Sequence, residues 1–346
     1  MSESDNNQEI ESIGEFGLID ELTKDAELRN DSSVKGVGDD SAVISCYSTD
    51  EHSLLSADML VEGVHFNLSY MPLKSLGFKA ISINVSDIFA MNGSPEQVTV
   101  SLGVSSKFPV EALKELYAGI HAACEFYSVD LVGGDTTSSY SGLIISVSVL
   151  GKVDKNKVVY RHGAKENDLL IVTGDLGSSY LGLQILEREK GVFNANPKIQ
   201  PKLDGYDDLI TRQLQPIARQ DIISLFQEMS FTPTSMIDVS DGLASEIIHL
   251  SKSSECSFSV YSDKLPITEK SILTTQELGL DPFVCALNGG EDYELLFTAD
   301  QKDFEKFKNN PNFSIIGFAS DKSNANLLID KNNTAVTINA QGWRHF

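Results

Sequence analysis

The chain has 346 residues, of which 41% are hydrophobic, 50 are acidic and 27 are basic, so its formal net charge is −23. This length predicts two domains, and the negative charge argues against nucleic acid or an anionic membrane surface as a partner, because both bind basic patches. No apolar run approaches the length of a membrane span, and the polar, acidic start is unlike a secretion signal, so we expect a cytoplasmic protein.

The first half of the chain alternates between strand and helix patterns. The predicted helices, which show apolar residues at helical spacing, are 13–22, 73–91 and one that begins near residue 109. The predicted strands are 41–47, 52–66, 96–104, 130–135 and 142–153. This half therefore mixes α and β structure.

From about residue 155 the pattern restarts as a strand, a tight polar turn and a helix. It occurs at 168–186 and again at 235–252. The fold class is predicted to be mixed α/β or α+β, with an N-terminal domain over 1–153 and a C-terminal domain over 154–346. The polar stretch 194–208 is expected to be a long surface loop.

Aspartates lie at the ends of the apolar strands or in the turns beside them. They are Asp39, Asp40, Asp58, Asp135, Asp175, Asp238 and Asp241. Asp87 differs because it lies within the predicted helix 73–91, on a face beside the apolar stripe. A carboxylate in that position needs a partner.

Each acidic motif taken alone also has a purely structural explanation. Asp241 could cap the following helix, and 132–139 could form a glycine-rich turn. Together, however, so many carboxylates would repel one another strongly unless cations bind among them. Oxygen ligands suit Mg²⁺ or Ca²⁺, and the lack of an EF-hand loop favours Mg²⁺.

The segment 132–139, VGGDTTSS, has the groups that phosphate oxygens need, since exposed backbone N–H groups and hydroxyls flank Asp135. The sequence contains neither a P-loop nor the protein-kinase motifs, so any nucleotide would be bound by a different fold. His65 has no histidine or cysteine at ligand spacing, and the four cysteines lie far apart, which argues against zinc and disulfides.

The order and spacing of several motifs resemble those of the thiamine-monophosphate kinase family. The motifs are GEF (14–16), GVGDDSAVI, SADMLVEGVHF, KAISINVSDIFAMNGSP, LVGGDTTSS, SVLGKV, RHGAKENDLLIVTGDLGSS, IDVSDGL and NGGEDYELLFT. The likeness extends from Gly14 to Trp343. Aminoimidazole ribonucleotide synthetase, selenophosphate synthetase and a hydrogenase maturation factor share the GDD and GGD elements, whereas EGVHF, NVSDIFAMNG and GGEDYEL are typical of the kinase.

The resemblance implies that the N-terminal sheet pairs with that of a second subunit to form a barrel, in a homodimer, and that the C-terminal domain is an α/β sandwich. It also implies ATP-dependent, in-line phosphorylation of thiamine monophosphate to thiamine diphosphate, assisted by several Mg²⁺ ions and without a covalent enzyme intermediate. Because the acceptor phosphate is already anionic, no general base is expected. Two alternatives stay open: another ATP-dependent reaction on this scaffold, and a non-enzymatic nucleotide or metal-binding module.

The resemblance further implies roles for individual residues. The Mg²⁺ ligands would be Asp40, Ser56, Ala57, Asp58, Asp87, Asp135, Asp238 and Asp241. Ala57 stands where the family usually has threonine, so it would use its backbone carbonyl. The ATP contacts would be Gly134, Asp135, Arg161 and Ser240, and the thiamine-monophosphate contacts would be His65, Glu291 and Trp343.

Overall fold

The computed structural model describes residues 19, 23, 30–45 and 50–340. Within these residues the chain forms two β-sheets with helices packed against them. One sheet is built from residues 33–154 and the other from 169–337. The mixed α/β fold class is thus confirmed, whereas the domain boundary after residue 153 stays a prediction. Most of the predicted helix 13–22 lies outside the described residues.

The first sheet has six strands in the described part of the chain, in the order β1-β2-β3-β6-β4-β5. These strands are β1 Ser33–Lys35, β2 Ala42–Ser45, β3 Glu51–Val61, β4 Ser94–Val104, β5 Asp130–Ser138 and β6 Ile144–Asp154. The parallel pair is β4 with β5, which leaves β5 at the edge. Helix α1, Leu73–Ala90, lies against one face, and helix α2, Val110–Tyr127, packs on α1.

The second sheet follows the order β13-β12-β9-β11-β7-β10-β8 among the described residues. Its strands are β7 Leu169–Thr173, β8 Ser235–Asp238, β9 Ser257–Tyr261, β10 Leu295–Ala299, β11 Phe313–Ser320, β12 Leu327–Ile329 and β13 Ala335–Thr337. The helices of this half are α3 Ser178–Ala195, α4 Asp207–Leu214, α5 Gln220–Glu228, α6 Leu243–Ser254, α7 Glu269–Leu278, α8 Pro282–Asn288 and α9 Phe304–Phe307. Strands β7, β8 and β10 are buried at every position, as expected of a sheet covered on both faces.

Every helix in the described part of the chain is too short or too polar to cross a lipid bilayer.

Helix α1 is buried on almost every side. The sequence predicts a one-sided apolar stripe, yet the polar residues Lys79, Ser82 and Asn84 are buried as well. The reason is that α1 touches the first sheet, α2, α4 and strand β8 of the second sheet. Its polar groups are paired inside the protein: the Ser82 and Tyr127 hydroxyls lie 2.9 Å apart, and the Asn84 amide donates to the carbonyl of Ala80 at 2.8 Å.

Two glycines allow α1 and α2 to come into backbone contact. A Cβ atom added at Gly77 would lie 2.0 Å from the carbonyl oxygen of Leu116, and one at Gly119 would lie 1.8 Å from the carbonyl oxygen of Lys74. No side chain fits at these distances. Glycine is therefore required at both positions by the closeness of the helices.

We predict that Gly119→Ala destabilises the protein by at least about 2 kcal/mol, because the new methyl group forces the two helices apart. The matched control is Gly191→Ala in α3, where an added Cβ would meet no atom within 4 Å. That change should be neutral or stabilising by up to about 1 kcal/mol, since alanine is the better helix former. Urea denaturation measures both. A Gly119→Ala protein as stable as the parent would contradict the close helix contact.

Candidate active site

A cavity of about 970 Å³ lies where the two halves of the chain meet, and residues of β3, α1 and α3 contribute to its wall. Most of the predicted site residues line it: Asp40, Ser56, Ala57, Asp58, His65, Asp87, Arg161, Asp238, Ser240, Asp241 and Glu291. Gly134 and Asp135 do not line the cavity, and Trp343 lies outside the described residues.

Three of the predicted metal ligands come together in this cavity. Carboxylate oxygens of Asp40, Asp87 and Asp238 all lie within 4.8 Å of one another. Asp40 comes from the turn before β2, Asp87 from the last two turns of α1, and Asp238 from the end of β8. Hard oxygen ligands at this spacing fit a divalent cation such as Mg²⁺. We call these three residues the carboxylate cluster.

Burial and mutual repulsion oppose ionisation of the carboxylate cluster. Burial, followed by the nearby charges of Asp58, Asp238 and Asp40, raises the pKa of Asp87 well above its ordinary value. Burial and then Asp40 raise the pKa of Asp238 to about 7. Hydrogen bonds donated by Ser56 to Asp87 and by Ser86 to Asp238 offset part of this effect. A bound cation would favour the ionised carboxylates.

Arg161 compensates the charge of Asp40. Its Nε and Nη2 atoms donate to the two carboxylate oxygens of Asp40 at 3.1 and 2.9 Å, a bidentate pair. The backbone N–H of Arg161 donates to Asp39 at 3.1 Å, and burial together with Asp40 raises the pKa of Asp39 to about 6. Asp39 therefore fastens the acidic turn to Arg161, while Asp40 faces the cavity.

The segment Ser56–Asp58 presents its side chains alternately, as a strand must. The Ser56 hydroxyl donates to Asp87, and the Asp58 N–H donates to the Asn84 side chain of α1 at 3.0 Å. Ala57 lies between them with its side chain on the other face, so its backbone is the part able to serve as a ligand. This geometry is compatible with the expected use of its carbonyl.

A further carboxylate, which the sequence analysis missed, lies beside Asp241. Glu246 is buried in the first turn of α6 and accepts a hydrogen bond from the Asp241 N–H at 2.9 Å. Burial, and then Asp241, raise its pKa well above the ordinary value. The sequence could have indicated Glu246 by its position, because it lies in the helical turn directly after the SDG turn.

Glu291 lines the cavity but is not part of the carboxylate cluster. It has the left-handed φ of 58°, and Lys79 and Gln213 hold its carboxylate. His65 also lines the cavity, and its Nδ1 accepts a hydrogen bond from the Val61 N–H at 3.0 Å. Neither Lys79 nor Gln213 was identified from the sequence.

The two acidic residues that follow Glu291 turn away from the cavity. Asp292 accepts hydrogen bonds from the backbone N–H groups of Gly177 and Ser179, at the beginning of α3, at 2.8 and 3.4 Å. Glu294 pairs with Arg212 at 2.9 Å and also with Arg219. The GGEDYEL motif thus combines three residues at the cavity, Gly289, Glu291 and Tyr293, with two buried structural carboxylates, a division that the sequence alone did not indicate.

The remaining predicted residues lie elsewhere. Gly134 and Asp135 are exposed on β5, the edge strand of the first sheet. Asp175 accepts a hydrogen bond from Ser178 where α3 begins, which is a structural role. The assignment of Gly134 and Asp135 to ATP and metal binding stays a prediction.

A family match and a fold likeness identify the class of protein. Residues 38–153 match the family described as AIR synthase related protein, N-terminal domain. The hydrogenase maturation protein HypE of E. coli is 17% identical and has a TM-score of 0.67, with 85% of this chain and 87% of that one covered. This likeness places the chain in the AIR synthase-related fold.

Curated relatives then specify the family. The thiamine-monophosphate kinase of Aquifex aeolicus is 34% identical, with 97% of this chain and 99% of the relative aligned, and that of Bacillus subtilis is 32% identical, with 96% and 100% aligned. A solved structure described as "AaThiL complexed with AMPPCP and TMP" has a TM-score of 0.83 at 32% identity and covers 99% of this chain and 100% of that one. The chain belongs to the thiamine-monophosphate kinase family, which confirms the resemblance seen in the motifs.

We predict that Mg²⁺ raises the Tm more at about pH 8 than at about pH 5.5. The folded-state pKa of Asp238 lies above its ordinary 3.8, at about 7, so its contribution to stability is present at low pH and is lost as the pH rises through about 7. Mg²⁺ needs ionised ligands and restores the lost stability at the higher pH. Thermal unfolding with Mg²⁺ or a chelator measures the difference.

Asp238→Asn provides the control for this prediction. It should remove most of the Mg²⁺-dependent increase in Tm, and at about pH 8 it should raise the Tm of the metal-free protein, because a neutral amide relieves the repulsion from Asp40 and Asp87. Equal Mg²⁺ effects at both pH values, in the parent protein, would count against a metal site at the carboxylate cluster.

Proposed function

We propose that this protein transfers the γ-phosphoryl group of ATP to the phosphate of thiamine monophosphate, which yields thiamine diphosphate and ADP. The observation that carries the proposal is the carboxylate cluster, Asp40, Asp87 and Asp238, at the wall of a cavity of about 970 Å³. The related structure "AaThiL complexed with AMPPCP and TMP" contains an ATP analogue together with TMP.

The chain's own residues would bind the ions and the ligands. Asp40, Asp87 and Asp238 would hold Mg²⁺, with Asp58, Asp241, Ser56 and the Ala57 carbonyl beside them. Mg²⁺, when bound, neutralises the charge that the two phosphate chains bring together. Ser240 and Arg161 are the proposed ATP contacts within the cavity.

The cavity needs to position its ligands and does not need to remove a proton. The phosphate of thiamine monophosphate is already an anion near neutral pH, so it can attack without a general base. Glu291 and His65 are the proposed contacts to the acceptor, together with the predicted Trp343. Holding the two phosphates in line would supply most of the rate enhancement.

We predict that unphosphorylated thiamine is a poor acceptor, by roughly a thousandfold or more, which is about 4 kcal/mol. A hydroxyl must lose its proton as it attacks, and thiamine also lacks the phosphate that would complete the Mg²⁺ ligands. The measurement is ADP release from ATP, with identification of the phosphorylated product, for each acceptor.

In the same assay, Asp87→Asn should lower turnover by at least about a hundredfold.

Comparable phosphorylation of thiamine and thiamine monophosphate would contradict the assigned roles. No phosphorylation of either acceptor by the parent protein would contradict the proposed function itself. In that case the same assay with other phosphorylated acceptors would test a different ATP-dependent reaction on this fold.

We also propose that the protein is a homodimer formed through the first sheet. Leu55 and Leu150 are directly opposite each other on β3 and β6, and they and Met59 are 41, 38 and 55% exposed, on the face that α1 does not cover. An apolar sheet face of this kind is an interaction surface. Gly134 and Asp135 are exposed on the edge of the same sheet, so a second subunit is the route by which they could contribute to an active site.

Light scattering should give a mass of about twice 37.8 kDa at micromolar concentration. Leu55→Lys should yield monomers, because a charge on this face would be buried without a partner. The control is Ile272→Lys, since Ile272 on α7 is 39% exposed and lies in the other half of the chain. A parent protein with the mass of one chain would contradict the dimer, and dissociation of both variants would contradict the assignment of the interface to the first sheet.

A further inference from the structure

Lys79 is a buried lysine to which the proposed function assigns no role. It lies on α1 with only 1% of its side chain exposed, and its Nζ atom is 2.7 Å from Oε1 of Glu291. The same atom donates to the backbone carbonyl of Gln213 at 3.1 Å. A buried ammonium group is costly unless it is paired, so its two partners fix its place.

The second oxygen of Glu291 also has a partner within the protein. The Gln213 side chain donates from Nε2 to Oε2 of Glu291 at 2.6 Å, and its own Oε1 accepts a hydrogen bond from Ser179 at 2.8 Å. Gln213 is buried, whereas 30% of the Glu291 side chain is exposed at the cavity wall. Lys79 and Gln213 thus bind the Glu291 carboxylate from the protein interior, and its other lone pairs face the cavity.

Lys79 also connects Glu291 to the carboxylate cluster. Lys79 and Asp87 lie on the same helix, eight positions apart, which is about 12 Å along the helix axis. Because α1 is packed on almost every side, this separation is rigid. The helix therefore fixes where Glu291 lies relative to the site of phosphoryl transfer.

We propose that Lys79 is a positioning residue that selects the acceptor by holding Glu291 as a hydrogen-bond acceptor for N–H groups at the end of the acceptor molecule remote from its phosphate. This inference rests on the proposed function, because it assigns the aminopyrimidine ring of thiamine monophosphate to Glu291. If Lys79 only joined the two halves of the chain, its substitution would change the KM for ATP and the KM for the acceptor alike. If Lys79 acts through Glu291, its substitution changes the KM for the acceptor alone.

The test compares Lys79→Met, Glu291→Gln and the double variant in the ADP-release assay. Each single variant should raise the KM for thiamine monophosphate about tenfold, the loss expected for one charge-assisted hydrogen bond, while the KM for ATP stays within about twofold. The double variant should be no worse than the single ones, because both changes remove the same contact.

A truncated acceptor supplies the second readout. The phosphate ester of hydroxyethylthiazole lacks the aminopyrimidine ring, so the parent protein should prefer thiamine monophosphate and Lys79→Met should lose about tenfold of that preference. If Lys79→Met does not fold, as judged by its Tm, Lys79→Arg keeps the charge but misplaces it, and the same separation of the two KM values is expected.

Several outcomes would overturn the inference. They are effects of the two single variants that multiply in the double variant, a KM for ATP that rises together with that for the acceptor, and a preference over the truncated acceptor that does not change. Failure of the proposed function is recognised separately, because the parent protein would then form no thiamine diphosphate at all.

Discussion

The repulsion among carboxylates gathered in one buried place is the constraint on which the rest of this structure depends. Asp40, Asp87 and Asp238 come from three distant segments, and their oxygens are held within 4.8 Å of one another although burial raises the pKa of Asp87 and Asp238. Arg161 and nearby hydroxyls offset only part of the cost. A fold that maintains such an arrangement sacrifices stability of the free protein, as is common at functional sites.

The turn that carries Glu291 shows how the protein maintains a second costly arrangement. Glu291 and Tyr293 both have left-handed φ values, 58° and 50°, which side chains rarely adopt. Their neighbours hold the turn in place, since Asp292 binds the beginning of α3 and Glu294 pairs with two arginines. Backbone strain of this kind persists where the surroundings over-determine the conformation. The surrounding ion pairs therefore support the shape of the cavity wall although they do not line it.

Local patterns were sufficient to predict most strands and the two long helices of the first half, because strand ends and turns are marked by the chain's own aspartates and glycines. Several cavity residues, such as His65, Arg161 and Glu291, were instead implied by the family resemblance. The burial of α1 could not be predicted, because it depends on α4 and β8, which are far away in sequence. The same applies to Lys79 and Gln213, whose partners lie 134 and 78 positions away in the chain. Gly134 and Asp135 show the converse, since a clear motif lies on an exposed edge strand outside the cavity.

Because α1 has almost no solvent-facing side, its amide hydrogens are protected by the second sheet as well as by the first. Deuterium from the solvent can reach them only when the two halves of the chain separate or the whole protein unfolds. The cavity wall also includes residues of the segment 63–71 and of α3, which are less buried than α1. Among the parts of the cavity wall, the helix that carries Lys79 and Asp87 should therefore exchange its amide hydrogens most slowly.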